Sequence, residues 1–141
     1  MKRNGQLSRV LHILMHLSLR KGPATSADLA RSIDANAVVV RQIMAGLREH
    51  GYVKSSKGHG GGWVLSCDPS KVSLRDIYNA LGCPPLLALE SPAPTAECRV
   101  AQSVNAVLSR SYQEAEIALL TGLGRVTLAD LSADLRTRLH P

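Results

Sequence analysis

The stretch KGHGGGWVLS, Lys57 to Ser66, sets Gly58, Gly60, Gly61 and Gly62 around His59, just ahead of the chain's single tryptophan. Glycine loses more conformational freedom on folding than any other residue, so this density means that the backbone must take a course closed to side chains. One structure that uses such a run is a nucleotide cradle, with the spacing G-x-x-x-x-G-K-[ST] or G-x-G-x-x-G. Neither spacing is present. No Lys-Ser or Lys-Thr follows the glycines, and after Gly58-His59-Gly60 the final glycine of the second pattern would have to stand at Trp63. The flanks, YVKSS and WVLS, are short and carry β-branched and aromatic residues. Two such runs about a glycine-rich tip predict a β-hairpin.

What precedes the hairpin gives it a context. Leu7, Val10, Leu11, Leu14 and Leu17 recur at helical spacing and predict an amphipathic helix over 6–20, ended by RKGP. Thr25-Ser26-Ala27-Asp28 has the form of a capping box and opens a short helix through Ile33, with Leu29, Ala30 and Ile33 on one face. Asp34 and Asn36 then suit a turn or an N-cap. A third helix, AVVVRQIMAGLREHG, carries the apolar stripe Val40, Ile43, Met44 and Leu47 and is stopped by Gly51. Its opposite face offers Val38, Arg41, Gln42 and Ala45, with Arg48 alongside. Two helices joined by a four-residue turn, the second cationic, make a helix-turn-helix, and the hairpin after it makes a wing. The glycines let a basic loop turn tightly and lie close to a DNA backbone, while Trp63 anchors the outgoing strand on the core.

Downstream, Ser73-x-x-Asp76 caps another helix within DPSKVSLRDIYNAL. Residues 82–96, with Pro84, Pro85, Pro92 and Pro94, cannot be regular helix and read as a linker. From Glu97 to about Thr121 a long helix is expected, its seam formed by Val100, Val104, Val107, Leu108, Tyr112, Ala115, Ala118 and Leu119, with Gly122 and Gly124 ending it. Thr127 caps a last helix bearing Leu128, Leu131 and Leu135. The fold class is therefore mainly α with a small β-wing: a winged helix-turn-helix over 1–81, the linker, and a dimerisation region over 97–141. A seam of this length is hard to bury within one small chain and points to a homodimer, although packing across its own winged-helix unit is the simpler use for it.

Charge agrees with the hairpin's context. Residues 1–66 hold ten Lys/Arg against three Asp/Glu, a net of +7, and residues 67–141 hold seven against eight, a net of −1. That split points the first half towards a polyanion such as a nucleic acid, though positive charge also serves solubility; with the helix-turn-helix, the partner expected is double-stranded DNA. The longest apolar run, LHILMHLSL, is too short and interrupted to span a bilayer, and no small-residue cleavage site follows it. Three cysteines without a C-x-x-C pairing fit a reducing cytoplasm. No Ser-His-Asp set, paired carboxylates or metal-ligand group stands out, so an enzyme is not expected. The competing reading is a winged-helix interaction module whose basic face binds an acidic protein without any operator.

The run VVVRQIMAGLREHGYVKSSKGHGGGWVLSCDPSKVSLRDIY resembles the Rrf2 family of winged-helix regulators, whose recognition helix ends in Leu-Arg-x-x-Gly and whose wing carries Arg/Lys-Gly-x-Gly-Gly-Gly and an aromatic. The resemblance extends over nearly the whole chain, the long helix and TLADL included. It implies a homodimer that binds palindromic operators, usually to repress transcription. Asn36, Val38 and Arg41 would head the recognition helix in the major groove, and Ser55, Lys57, Gly58 and His59 would lie on the wing near phosphates or the minor groove. The chemistry fits: an arginine can bond guanine in bidentate fashion, a valine can pack on a thymine methyl, and a lysine and a glycine amide can reach phosphate oxygens. Each residue also has a plainer use. Asn36 suits a simple N-cap, Val38 a partly buried position, and Lys57 a solvated surface charge.

Cluster-bearing members of that family resemble one another in three closely spaced cysteines between the post-wing helix and the long helix. Here that region has only Cys83 and Cys98, with fourteen residues between them, and Cys67 lies back at the wing's exit. A [2Fe–2S] site wants four ligands, so no iron–sulfur cluster and no other cofactor is expected. Cys98 stands at the start of the long helix beside Arg99, where the helix terminus and the cation favour thiolate, and cluster-free members often have a cysteine there. It is a candidate sensor thiol, with Cys83 a candidate resolving partner; a small apolar residue in the dimer interface is the other use for Cys98. His12 and His16, four residues apart, share a helical face but lack an acidic third ligand. Their spacing alone leaves them as a polar edge of the first helix, and no metal site is expected.

Overall fold

The computed structural model describes residues 2–3, 5–88 and 98–140. A two-residue strand, β1 (Lys2–Arg3), leads into helix α1 (Gln6–Leu19), which is the hub of the core. Helices α2 (Ser26–Ser32) and α3 (Ala37–Glu49) follow, then the hairpin β2 (Val53–Ser56) and β3 (Gly62–Leu65). A 3-10 turn (Pro69–Lys71) precedes α4 (Leu74–Ala80) and strand β4 (Leu87–Ala88). The chain closes with the long helix α5 (Arg99–Gly124) and with α6 (Leu128–Leu139). This is the mainly helical winged helix-turn-helix that the pattern predicts.

The capping boxes form as the sequence reads. Thr25, Ser73 and Thr127 each accept from the backbone N–H of the aspartate three residues on, and Asp28, Asp76 and Asp130 each accept from the cap residue's own N–H. Each box satisfies two donors that the first turn of a helix otherwise leaves unpaired. Where α3 ends, Gly51 takes a φ of +78°, a left-handed conformation that costs a side chain more, and its N–H reaches the Arg48 carbonyl.

The burial on α1 is wider than the five-residue stripe. Leu7, Val10, Leu14 and Leu17 are buried as expected and Leu11 is only half-buried, but Ile13 and Met15 are buried too. The reason is that α1 is packed by α2, α4, α6 and β3 together. The Ser132 hydroxyl of α6 reaches Met15 Sδ at 3.5 Å. Ile13, Leu14, Met44, Leu47, Ile77 and Leu128 are fully buried. Removing such a side chain from water contributes about 1.5–3 kcal/mol each.

Three expectations need correction. Gly122 does not end the long helix: α5 continues to Gly124 and is capped by Arg125, because Leu120 and Leu123 pack on the core and carry the backbone through the glycines. The helix also begins at Arg99, with Cys98 as its N-cap, two residues later than read. Within the segment read as a linker, Leu87 and Ala88 pair antiparallel with Arg3 and Lys2, a ladder set by tertiary contact with no local sequence signal. Residues 89–97 of that segment lie outside the described residues. The seam of α5 is largely uncovered. Val100 is 73% exposed, and Val104, Val107, Leu108 and Leu119 are exposed as well.

Candidate nucleic-acid interface

The turn between α2 and α3 is built by two local devices. Asp34 takes φ +50° and the Ala35 N–H donates to the Ala30 carbonyl, reversing the chain. Asn36 Oδ1 then accepts the Val38 N–H at 2.7 Å. Asn36 is thus an N-cap, as its plainer use required, and it remains exposed. Behind it, Val40, Met44 and Leu47 fasten α3 to the core, which leaves the opposite face free. Val38 is 53% exposed, so it is no core residue, and Arg41 and Gln42 are exposed beside it.

The wing is fixed at its base and free at its tip. Val53 and Trp63 are buried, and the register pairs Val53 with Leu65, Lys54 with Val64, Ser55 with Trp63 and Ser56 with Gly62. Trp63 also exchanges backbone bonds with Ala24 (2.8 and 3.0 Å), and its indole N–H donates to Ser26 Oγ at 3.0 Å. Both contacts tie the hairpin to the N-terminus of α2. The Arg48 guanidinium stands 5.7 Å from the Trp63 ring centroid, a cation–π contact that links the end of α3 to the same strand. At the tip, Gly58 and Gly60 adopt φ +98° and +77°, and the Gly61 N–H donates to the Gly58 carbonyl. A Cβ on Gly61 would stand 2.5 Å from the Ser56 carbonyl oxygen, and one on Gly62 2.6 Å from that of Ala24. Those two glycines are required by close backbone approach, the others by conformation.

Ser55, Lys57, Gly58 and His59 are all exposed on this hairpin. Among the described residues, neither Arg41 nor Lys57 forms an ion pair with an acidic side chain; the pairs present hold Arg20, Arg31 and Arg138. Lys54 is exposed on β2 and belongs with the wing's cations, which the sequence pattern alone does not single out. It follows buried Val53, and β2 is exposed from Lys54 onward. Gln42, on the same free face, is exposed beside Arg41. A rigid helix with a free polar face beside a basic, backbone-rich loop is suited to a groove and its bordering phosphates.

The cysteines are set apart from this surface. Cys67 is half-buried, and burial pushes its thiol up from the ordinary value. Cys83, exposed and at φ +54°, donates to Asn79 Oδ1 at 3.5 Å. Cys98, exposed, accepts the Ala101 N–H at 3.5 Å. Among the described residues no group of three or more His, Cys, Asp or Glu gathers to hold a metal ion. No described helix is long and apolar enough to cross a membrane.

A family model described as "Rrf2: Iron-dependent Transcriptional regulator" matches residues 3–134. A protein of Bacillus subtilis named as an HTH-type transcriptional regulator, YwnA, is 27% identical over 128 residues, covering 91% of this chain and 95% of its own. The regulator CymR of the same organism is 29% identical over 111 residues, covering 74% and 80%. Its solved structure, named there as the global cysteine regulator, superposes with a TM-score of 0.64 at 26% identity over 94% of this chain and 97% of that one. A crystal structure of a transcriptional regulator from Lactobacillus plantarum gives a TM-score of 0.73 at 26% identity, covering 94% and 90%.

Proposed function

The chain belongs to the Rrf2 family of DNA-binding transcriptional regulators, and from that premise we propose that it is a homodimeric repressor of a palindromic operator. The observation that carries the reading is the free face of α3, with Val38, Arg41 and Gln42 exposed, braced through Arg48 and Trp63 against a glycine-tipped wing. Two recognition helices, one from each copy, enter successive major grooves about 34–36 Å apart on one face of the duplex. Arg41 and Val38 read base edges, Asn36 holds the head of the helix in register, and Ser55, Lys57, Gly58 and His59 grip the adjoining backbone. Repression follows by occupancy, in the compartment that holds the genome. The pairing surface is the uncovered seam of α5.

The signal is read as a thiol chemistry at Cys98, with Cys83 as the resolving thiol, and without any iron–sulfur cluster. In its support, both thiols are exposed and Cys98 caps the very helix that carries the seam. A change of charge or size there bears on how the two copies sit, and so on half-site spacing.

Selection of random genomic fragments by filter binding, followed by sequencing, tests the DNA reading. A shared palindrome is expected; fragments with no common sequence would favour an acidic protein partner instead. For the thiol, operator release by an oxidant or electrophile should disappear in Cys98→Ser, and a variant that still releases sinks the sensor role.

A further inference from the structure

Helix α1 presents one face to solvent, and two histidines stand on it one turn apart. His12 and His16 are both exposed. Their ring centroids are 4.8 Å apart, yet their Nε2 atoms approach to 3.1 Å, so the rings lean together at those corners. In the metal-free pair one Nε2 carries a proton and the other accepts it.

That separation suits one metal ion. Bonds of about 2.0–2.1 Å from two nitrogens 3.1 Å apart enclose roughly 95–102° at the metal. The value falls between the cis angle of an octahedron and the angle of a tetrahedron, so an ion can be taken up with the backbone left where it is. The shared proton passes through solvent to Nδ1 of its own ring, both Nε2 lone pairs turn to the ion, and the neutral pair releases no net proton.

The charges around the pair are mixed. Arg9 lies on the same face one turn earlier and disfavours a cation. Arg20, at the end of α1, is held 3.6 Å from the Asp28 carboxylate of α2, which also bonds Arg31 and the Thr25 cap. His16, Arg20 and Asp28 share the wall of a cavity of about 210 Å3 between the two helices. Partial burial there, and then the charge of His12, lower the proton affinity of His16, which weakens the proton as a competitor.

We propose that His12 and His16 form a two-ligand clip for a late first-row divalent transition-metal ion, open to water on its outer side. What the spacing alone left as a polar edge becomes a site once the two nitrogens converge. Among the described residues no third donor closes it. The ion is therefore exchangeable, and Cu2+ and Ni2+ are favoured over Mn2+.

The test is calorimetric titration of the tag-free, full-length protein with NiCl2 at neutral pH. One ion per chain is expected, with affinity falling about tenfold or more in His12→Asn and in His16→Asn, and also in the parent at about pH 5.5. A Cys83→Ser/Cys98→Ser protein should bind as the parent does. Helical circular dichroism checks each fold, with His16→Gln in reserve, and Cu2+ bound to the parent should show nitrogen hyperfine splitting from two imidazoles. The clip is rejected if the histidine variants bind Ni2+ like the parent, if the loss appears in the cysteine variant instead, or if the parent does not bind below about 1 mM.

Discussion

Arg41 and Lys57 separate two jobs that a DNA surface must do. Arg41 stands on the free face of α3, where a fork of donors meets base edges, so Arg41→Ala should weaken specific binding by about 1–3 kcal/mol and blur one base position. Footprinting on the selected operator checks it, and an unchanged base preference rules the role out. Lys57 is exposed on the wing, where the expected contact is with phosphate charge and not with sequence. Lys57→Ala should weaken all duplexes alike and reduce the slope of log affinity against log salt by about one contact's worth, about 0.9. A change of sequence preference in that variant would instead place Lys57 among the reading residues. Asn36 shows why type and position do not settle a role at this scale. Its Oδ1 accepts the Val38 N–H, so the residue expected at the groove also caps the helix that it heads.

At the scale of elements, the three capping boxes were legible because a hydroxyl, two spacers and an aspartate state both halves of a local bargain of hydrogen bonds. Two of their carboxylates, Asp28 and Asp130, carry a pH signature. Asp28 is held below its usual range first by the Thr25 hydroxyl and then by the Thr25 N–H; for Asp130 the Thr127 N–H acts first and the hydroxyl second. A folded-state value below the unfolded one gives stability that is complete above the ordinary carboxylate range and lost as pH falls through the lowered value. Asp130→Asn should therefore lower the thermal midpoint at neutral pH, with the gap from the parent narrowing by about pH 3. A gap that stays constant across that window would show that the charge of Asp130 is irrelevant to α6. Other features of the elements were illegible for a physical reason. Gly122 looks like a stop, yet Leu120 and Leu123 bury against the core on either side of it, and packing outweighs the modest cost of a glycine in a helix. Ile13 and Met15 lie off the simple stripe because four elements enclose α1, and a single helix's periodicity cannot announce how many neighbours it will have. The wing was the reverse case: its glycines name their own geometry, down to the two positions where a Cβ meets a carbonyl.

For the whole molecule, the question is what covers α5. A helix from Arg99 to Gly124 fastens to its own chain through Leu120 and Leu123 near its C-terminal end, while Val104, 50% exposed, and Leu108 lie uncovered with Val100 and Val107. Water against such a row is costly, at about 25 cal/mol for each Å2 of apolar surface, and a second copy offers the same row in return. Pairing would also set the distance between the two α3 helices, which makes operator reading a property of the pair. The double variant Val104→Asp/Leu108→Asp should then sediment as a monomer, lose the concentration dependence of its thermal midpoint, and fall to weak half-site binding with the wing intact. The wild-type chain should be dimeric at the same concentrations. If it sediments as a monomer and still protects two half-sites of one operator, the seam is not the pairing surface, and the second recognition helix must be brought to DNA by the duplex alone.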